Sequence, residues 1–386
     1  MMLVASLLAA QTAALLALIV RLLPGRRRRP PIEPQAREIT DTTVSVIVTT
    51  LNEAHRIKPC LDGLRAQGQP LLEVLVVDSR STDGTQAIVE AAAALDPRIH
   101  LLTDDLLPHG WVGKVWALEH GLRTARGEWI LGVDADTEPA PGMVAAVVSA
   151  AREANLSVVS FSPRFTDQSR AEQFLQPALL LTLVYRGGVA GSDADPERVV
   201  ANGQCFLARR DVLLRHGGYA PARSSFADDV TLARHLARRG ERVGFLDGSR
   251  IYAVRSYGSA GEMWREWGRS LDLKNATSAW RQWIDIAVLV AVQGLPLFVL
   301  AAIGIALPKT LTPMTLGLLI VNSVALAIRL ALLRPLSRSY DRTAWTFWVS
   351  WLADPLAVAR IIVSTVSRRR TWRGRTYAPA ARTDWS

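Results

Sequence analysis

Hydrophobic and polar positions divide the chain into three regimes. Met1 to Leu23 is a nearly unbroken apolar run of helical length, closed by Arg26-Arg27-Arg28-Arg29 and Pro30-Pro31. Signal peptides carry their charge ahead of the apolar segment and end at a small-residue cleavage site. Here the charge follows, so the run reads as an uncleaved anchor with its arginine side in the cytoplasm. From Val44 the period changes. Short β-branched runs at Val44–Thr49, Leu72–Val77, Ile99–Leu102, the stretch before Asp134, Ser157–Phe161, Cys205–Arg209 and Arg242–Leu246 alternate with amphipathic segments. The latter predict helices over about Ala54–Ala66, Gln86–Ala94, Lys114–Arg126, Met143–Ala154 and up to Arg239. Strands alternating with helices predict an α/β fold with a doubly wound, mostly parallel sheet. Beyond Gly261 long apolar stretches return.

The predicted organisation is an anchor (residues 1–23), a basic, proline-containing linker (24–43), an α/β domain (44–260), interfacial helices (261–284), a membrane region (285–366) and a basic tail (367–386). Ile286–Leu307 and Thr312–Leu333 are long enough to cross a bilayer, and the arginines after the second place it inside. Trp345–Val366 is broken by Asp354-Pro355, and each half is too short to cross, which predicts a bent hairpin that returns the tail to the cytoplasm. Phe174–Val184 predicts a helix too short to span. Trp264, Trp267, Trp280 and Trp283 stand among charges, as expected at a membrane–water boundary.

Composition sharpens this picture. Of 386 residues 49% are hydrophobic, and much of the net charge of +10 lies in arginine runs beside apolar stretches, which favours a membrane surface over nucleic acid. Two cysteines, Cys60 and Cys205, have no metal-like spacing and read as small buried hydrophobes.

Candidate chemistry gathers on acids. The run Trp129-Ile130-Leu131-Gly132-Val133-Asp134-Ala135-Asp136 drives a buried strand into two carboxylates one residue apart, where open α/β sheets bind ligands. Such a pair suits Mg²⁺ or Mn²⁺ carrying a substrate's phosphates; a solvated loop start is the plain alternative. Glu53 follows Asn52 after the first strand, where it can accept from a base or sugar or simply favour a helix start capped by Asn52. Asp83 fits a turn cap, and Asp228 and Asp229 before a helix fit either an N-cap or an acid–base pair.

These motifs together resemble the family 2 inverting glycosyltransferases of the GT-A fold, over roughly Val44 to Arg269. Val46-Ile47-Val48-Thr49-Thr50-Leu51-Asn52-Glu53 is similar to that family's first strand and nucleotide-binding turn, which implies nucleotide-sugar contacts for Leu51 and Glu53. Val76-Val77-Asp78-Ser79-Arg80-Ser81-Thr82-Asp83-Gly84-Thr85 is similar to its second signature and implies a uracil contact for Asp78, although Ser79 replaces a usual acid and Arg80 a small residue. The resemblance makes Asp136 the direct cation ligand, Asp134 a ribose or metal contact, and Asp229, beside Asp228, the catalytic base. Gly110-Trp111-Val112-Gly113-Lys114-Val115-Trp116-Ala117-Leu118 resembles a segment of membrane enzymes that glycosylate carotenoids, hopanoids and, more distantly, ceramides. There Lys114 would pair with a diphosphate; a solvated lysine is the alternative. Trp267-Gly268-Arg269 and Arg370-Thr371-Trp372-Arg373-Gly374-Arg375-Thr376-Tyr377 resemble the same group, with Arg269 on the diphosphate or a lipid headgroup.

The resemblance implies an enzyme of the inner (cell) membrane with its catalytic domain in the cytoplasm. It would move a sugar, first of all glucose, from a UDP-sugar to a membrane lipid, first a hydroxylated carotenoid and next a hopanoid or ceramide-type lipid. A polyprenyl-phosphate sugar transferase is the competing reaction, and a non-enzymatic scaffold would require a broken acidic set. Four membrane segments and no Q/R-x-x-R-W motif argue against a processive polysaccharide synthase.

Overall fold

The computed structural model describes residues 1–191, 195–255, 257–270, 273, 275–306, 312–367, 371–372 and 375–376. The chain divides into two compact units. An α/β unit comprises Arg28–Thr166, Ala190–Ser256 and Arg368–Ser386; a helical unit comprises Met1–Arg27, Asp167–Val189 and Tyr257–Ser367.

In the α/β unit the strands are β1 (Val44–Thr50), β2 (Leu71–Asp78), β3 (Ile99–Thr103), β4 (Trp129–Asp134), β5 (Thr137–Pro139), β6 (Val158–Ser162), β7 (Arg164–Phe165), β8 (Cys205–Arg209), β9 (Val243–Asp247) and β10 (Tyr252–Val254). Seven of them form one sheet in the order β3-β2-β1-β4-β8-β6-β9. β1, β2, β3 and β4 are parallel, as are β6 and β9, while β8 runs against both its neighbours. β1 is buried along almost its whole length, the pattern of a strand covered on both faces. Cys60 and Cys205 are free thiols in this interior, as expected.

A second, three-stranded sheet β5-β10-β7 has no signature in the sequence, because its strands are two or three residues long. The helix after β1 spans Ile57–Arg65 rather than starting near Ala54. Asn52 does not cap it. It adopts a left-handed φ of 58° and its Oδ1 accepts from the Thr82 N–H at 2.9 Å, so it ties two turns together.

Among the described residues the helical unit holds three helices long and apolar enough to cross a membrane: Met2–Arg27, Ala279–Ile305 and Pro313–Ser337. The second starts earlier than its apolar pattern and passes through a π-turn at Val290–Gly294. The expected short helix at Phe174 is longer, Arg170–Gly187, because Ser169 and Glu172 form a reciprocal capping box ahead of it. Trp345–Val366 is broken as expected: a 3₁₀ turn at Ser350–Ala353 leads into a helix from Asp354 to Val366.

Polar pairs fix the register of these helices where hydrophobicity alone cannot. Gln11 and Asn322 exchange amide hydrogen bonds at 2.9 and 2.8 Å. At the break, the Arg329 Nε donates to both Asp354 oxygens at 3.0 and 2.8 Å, and its Nη2 donates to the Ser350 Oγ. Trp280 and Trp283 are exposed, as an interfacial role requires, but Trp267 is buried.

Trp267 packs into the apolar core of the helical unit and edge-on to Tyr257, and the helix Ala260–Ser270 that carries it is clasped by Arg360. The Arg360 Nε donates to the Trp264 carbonyl at 2.8 Å, Nη2 to the Arg265 carbonyl at 3.1 Å, and the guanidinium lies 5.6 Å from the Trp264 ring centroid. The guanidinium crosses directly over Gly268, where any Cβ would overlap it. Gly268→Ala should therefore cost about 1–3 kcal/mol of overpacking. The measurement is the thermal midpoint in detergent: Gly268→Ala should lower it in the wild-type background but not in an Arg360→Ala background, where the overlap is gone. An unchanged midpoint in the single variant contradicts the packing argument.

Candidate active site

Strand register assembles the site. Thr50 pairs with Asp78, and Thr49 pairs with Asp134, so the carboxyl ends of β2, β1 and β4 are level. Their chain order reverses direction between β1 and β4, the place where doubly wound sheets open a crevice. An open cleft lies there, lined among others by Leu51, Glu53, Ser79, Lys114, Asp134 and Asp136.

Asp78, expected at a uracil, is fully buried beneath the cleft rather than lining it. Its Oδ1 accepts from the Thr50 and Ser81 hydroxyls at 2.9 and 2.5 Å; its Oδ2 accepts from the Ser81 N–H and Gln86 Nε2 at 2.9 and 2.7 Å. Four donors fill a carboxylate. Asp78 shapes the turn, and the side chain this turn presents to the cleft is Ser79. Ser79 is oriented by Asp104, which accepts from its hydroxyl at 2.7 Å and also receives Arg80. Asp83 is the turn anchor expected of it: Oδ1 accepts from the Thr85 N–H and hydroxyl, and Oδ2 from the Ala54 N–H.

Along the cleft runs a file of acids held by two cations. The Arg56 Nε lies 2.9 Å from the Glu53 carboxylate, which is itself buried. Next stands Asp136, whose buried Oδ1 has no hydrogen-bond partner among the described residues. Burial pushes its carboxyl up to about 7, with Asp134 and Glu53 adding and Arg56 and Lys114 opposing. Asp134 follows at the tip of β4, its carbonyl held by the Thr137 hydroxyl at 2.8 Å.

Lys114 is neither solvated nor free in the cleft. Its Nζ lies 2.6 Å from the Asp134 Oδ1. Burial works against its charge, yet Asp134, Asp228 and Asp229 together hold its pKa above the ordinary value. Beyond Lys114 come Asp228 and Asp229 at the start of the helix Asp228–Arg238. Neither is the cap; that position is Ala227, without a side-chain bond. The Asp229 Oδ2 accepts from the Gly203 N–H and its Oδ1 from the Val230 N–H, both at 2.7 Å. Burial first, then the Asp228 charge, pushes the Asp229 carboxyl up to about 7, against Lys114 and those two N–H groups.

Gly203 and Arg56 escaped sequence reasoning. A Cβ on Gly203 would stand 3.0 Å from the Lys114 Nζ and 3.6 Å from the Asp229 Oδ2, so a glycine is what lets these groups face each other. The Asn202-Gly203 turn signal before β8 was the available clue; for Arg56 it was the i,i+3 spacing to Glu53. The side chain of Arg269 and the side chains of the tail motif from Arg370 to Tyr377 lie outside the described residues.

Asp134 and Asp136 fit a hard divalent cation: both are oxygen donors, and one buried oxygen of Asp136 has no partner among the described residues. Among the described residues no three His, Cys, Asp or Glu side chains converge on a complete metal site. A pair of carboxylates completed by substrate phosphates is the habit of Mg²⁺.

Comparison with known proteins agrees with this geometry. Residues 45–217 match the glycosyl transferase family 2 model. The chain carries a family 2 glycosyltransferase domain. Similar proteins include the succinoglycan biosynthesis protein ExoO of Rhizobium meliloti, 34% identical over 146 residues, or 36% of this chain and 40% of that one. The undecaprenyl-phosphate mannosyltransferase of Micrococcus luteus is 34% identical over 121 residues, 30% of this chain and 47% of that one. Less than half the length of either relative is matched. Among solved structures, the mannosyltransferase PcManGT of Pyrobaculum calidifontis, in complex with GDP-Man and Mn²⁺, superimposes with a TM-score of 0.55 at 24% identity, over 94% of this chain and 97% of that one. The glycosyltransferase domain thus has the GT-A fold, as expected. β2 to β8, and β1 from its second residue, fall within the matched residues; Asp228 and Asp229 lie beyond them.

Proposed function

We propose that the protein is a membrane-bound inverting glycosyltransferase that moves a sugar from a nucleotide diphosphate to the hydroxyl of a lipid. The observation that carries this reading is the file from Glu53 through Asp136, Asp134 and Lys114 to Asp229, which links a cation-ready donor cleft to a half-buried carboxylate suited to accept a proton. Leu51, Glu53 and Ser79 bound the nucleotide end of the cleft. Asp136, with Asp134, would hold Mg²⁺ or Mn²⁺, which when bound offsets charge on the leaving diphosphate. Asp229, oriented by Gly203 and Val230, takes the acceptor hydroxyl's proton as its oxygen attacks the anomeric carbon. Asp228 holds Asp229 basic enough for the task. Lys114 supplies positive charge between donor and base.

Three apolar helices of spanning length support a lipid acceptor drawn from the membrane, with the glycosyltransferase domain on its cytoplasmic side. The segment Gly110–Leu118 favours UDP-glucose and a hydroxylated carotenoid, with a hopanoid or ceramide-type lipid next. The mannosyltransferase relative that uses undecaprenyl phosphate favours a second reading, transfer to a polyprenyl phosphate. A phosphate acceptor is already ionised and needs no base, so Asp229 separates the two.

Mass spectrometry of lipid extracts from a deletion strain tests the proposal. The expected result is loss of one glycosylated lipid with accumulation of its free alcohol. Loss of a glycosyl phosphate instead selects the second reading, and an unchanged lipid profile overturns both.

A further inference from the structure

We infer that Lys114 is a resident placeholder for the divalent cation, seated on Asp134 until a nucleotide diphosphate arrives to draw it away. This rests on the donor-site reading above. The Nζ of Lys114 lies 2.6 Å from the Asp134 Oδ1, one of the oxygens that a cation would need. An ammonium and a divalent ion repel each other at such range, so the two compete for that oxygen. The site needs a resident cation: Glu53, Asp134 and Asp136 line the cleft, Asp228 and Asp229 add negative charge beside it, and uncompensated carboxylates in a partly desolvated site are costly. Arg56 serves the Glu53 end. Lys114 serves the other.

The side chain also has somewhere to go. On the flank facing Gly203 no Cβ blocks the ammonium, and the Asp229 carboxylate stands on the same side. Asp228 and Asp229 both attract Lys114. A diphosphate entering the cleft adds further negative charge, on which the ammonium can settle while Asp134 is released. The physical consequence is coupling. The cation alone must displace a lysine; the cation with a nucleotide need not. Each ligand should therefore raise the affinity for the other by the same factor. Such a device keeps the acid pair from being filled before a donor is present.

The test measures binding, not turnover. Full-length protein in detergent is titrated with Mn²⁺, and free Mn²⁺ is followed by electron paramagnetic resonance. The titration is run without nucleotide and then with UDP, corrected by a protein-free control. Wild-type protein should bind Mn²⁺ weakly alone and more tightly with UDP. Lys114→Met should bind Mn²⁺ alone roughly tenfold more tightly, and its enhancement by UDP should shrink correspondingly. Lys114→Arg, which keeps the charge, should behave as wild type. Lys114→Gln gives the same comparison if the methionine variant does not fold. Neutral variants that bind Mn²⁺ alone no better than wild type overturn the placeholder. Wild-type protein that fails to bind Mn²⁺ even with UDP overturns the donor-site reading instead.

Discussion

Replacing Asp229 by Asn lowers transfer to an alcohol acceptor by roughly 10²–10⁴-fold, the usual contribution of a general base, and leaves donor affinity within about twofold. Asp229 does not line the donor cleft, so its charge is not needed to seat the nucleotide. The variant is not silent for the fold. Both carboxylate oxygens accept backbone N–H groups, from Gly203 and Val230, and an amide cannot accept from both. A cost of about 1–3 kcal/mol for the mismatched pair should show as a lower thermal midpoint. The pH profile carries the same assignment. The active form is the carboxylate, and burial with the neighbouring Asp228 charge raises its pKa to about 7. Turnover should rise with pH through an acid limb centred near that value and level off above it. Asp228→Asn removes a negative neighbour, so the limb should move to lower pH. A limb that stays in place, or full turnover in Asp229→Asn, removes Asp229 from the role of base. Full turnover with a polyprenyl phosphate would be the result expected of the alternative acceptor.

Much of this site was legible because its chemistry is local in sequence. A buried strand ending in Asp134-Ala135-Asp136 declares both its edge and its charge, and parallel strands put such tips on one side of the sheet. β1, β2 and β4 could be read from runs of β-branched residues for the same reason. What could not be read depends on partners far along the chain. Asp78 looks like a ligand contact from its position at a strand end, yet Thr50, 28 residues earlier, and Gln86, on the next helix, fill its lone pairs. Lys114 looks solvated or phosphate-bound until its salt bridge to Asp134 is seen. Gly203 carries no side chain to advertise; its importance is the 3.0 Å that a Cβ would leave to an ammonium from another element. In the helical unit the apolar pattern found the spans but not the Arg329–Asp354 pair, which ties the last span to the start of the helix after the break. Charge pairs over such separations become visible only when packing brings them together.

Asp136→Asn separates stability from function most sharply. Asp136 is a half-buried carboxylate, one oxygen of which is buried with no partner among the described residues, set between the acids Asp134 and Glu53. Without a cation, that arrangement opposes folding, because desolvation and like charge are offset only in part by Arg56 and Lys114. Asparagine keeps the shape and removes the charge. The thermal midpoint of the free protein should therefore rise, as it does where a functional site has been kept at the expense of stability. Transfer should fall in the opposite direction. An Asp136 that holds the donor's cation contributes several kcal/mol to stabilising the leaving diphosphate, and a loss of about 4 kcal/mol is roughly a thousandfold in rate. Added Mn²⁺ with UDP should raise the midpoint of wild-type protein but not of the variant. The decisive comparison is the pair of midpoints, with and without Mn²⁺–UDP. A variant that is still stabilised by Mn²⁺–UDP places the cation elsewhere. One that loses both ligand response and free-state stability shows instead that the Asp136 charge belongs to the fold.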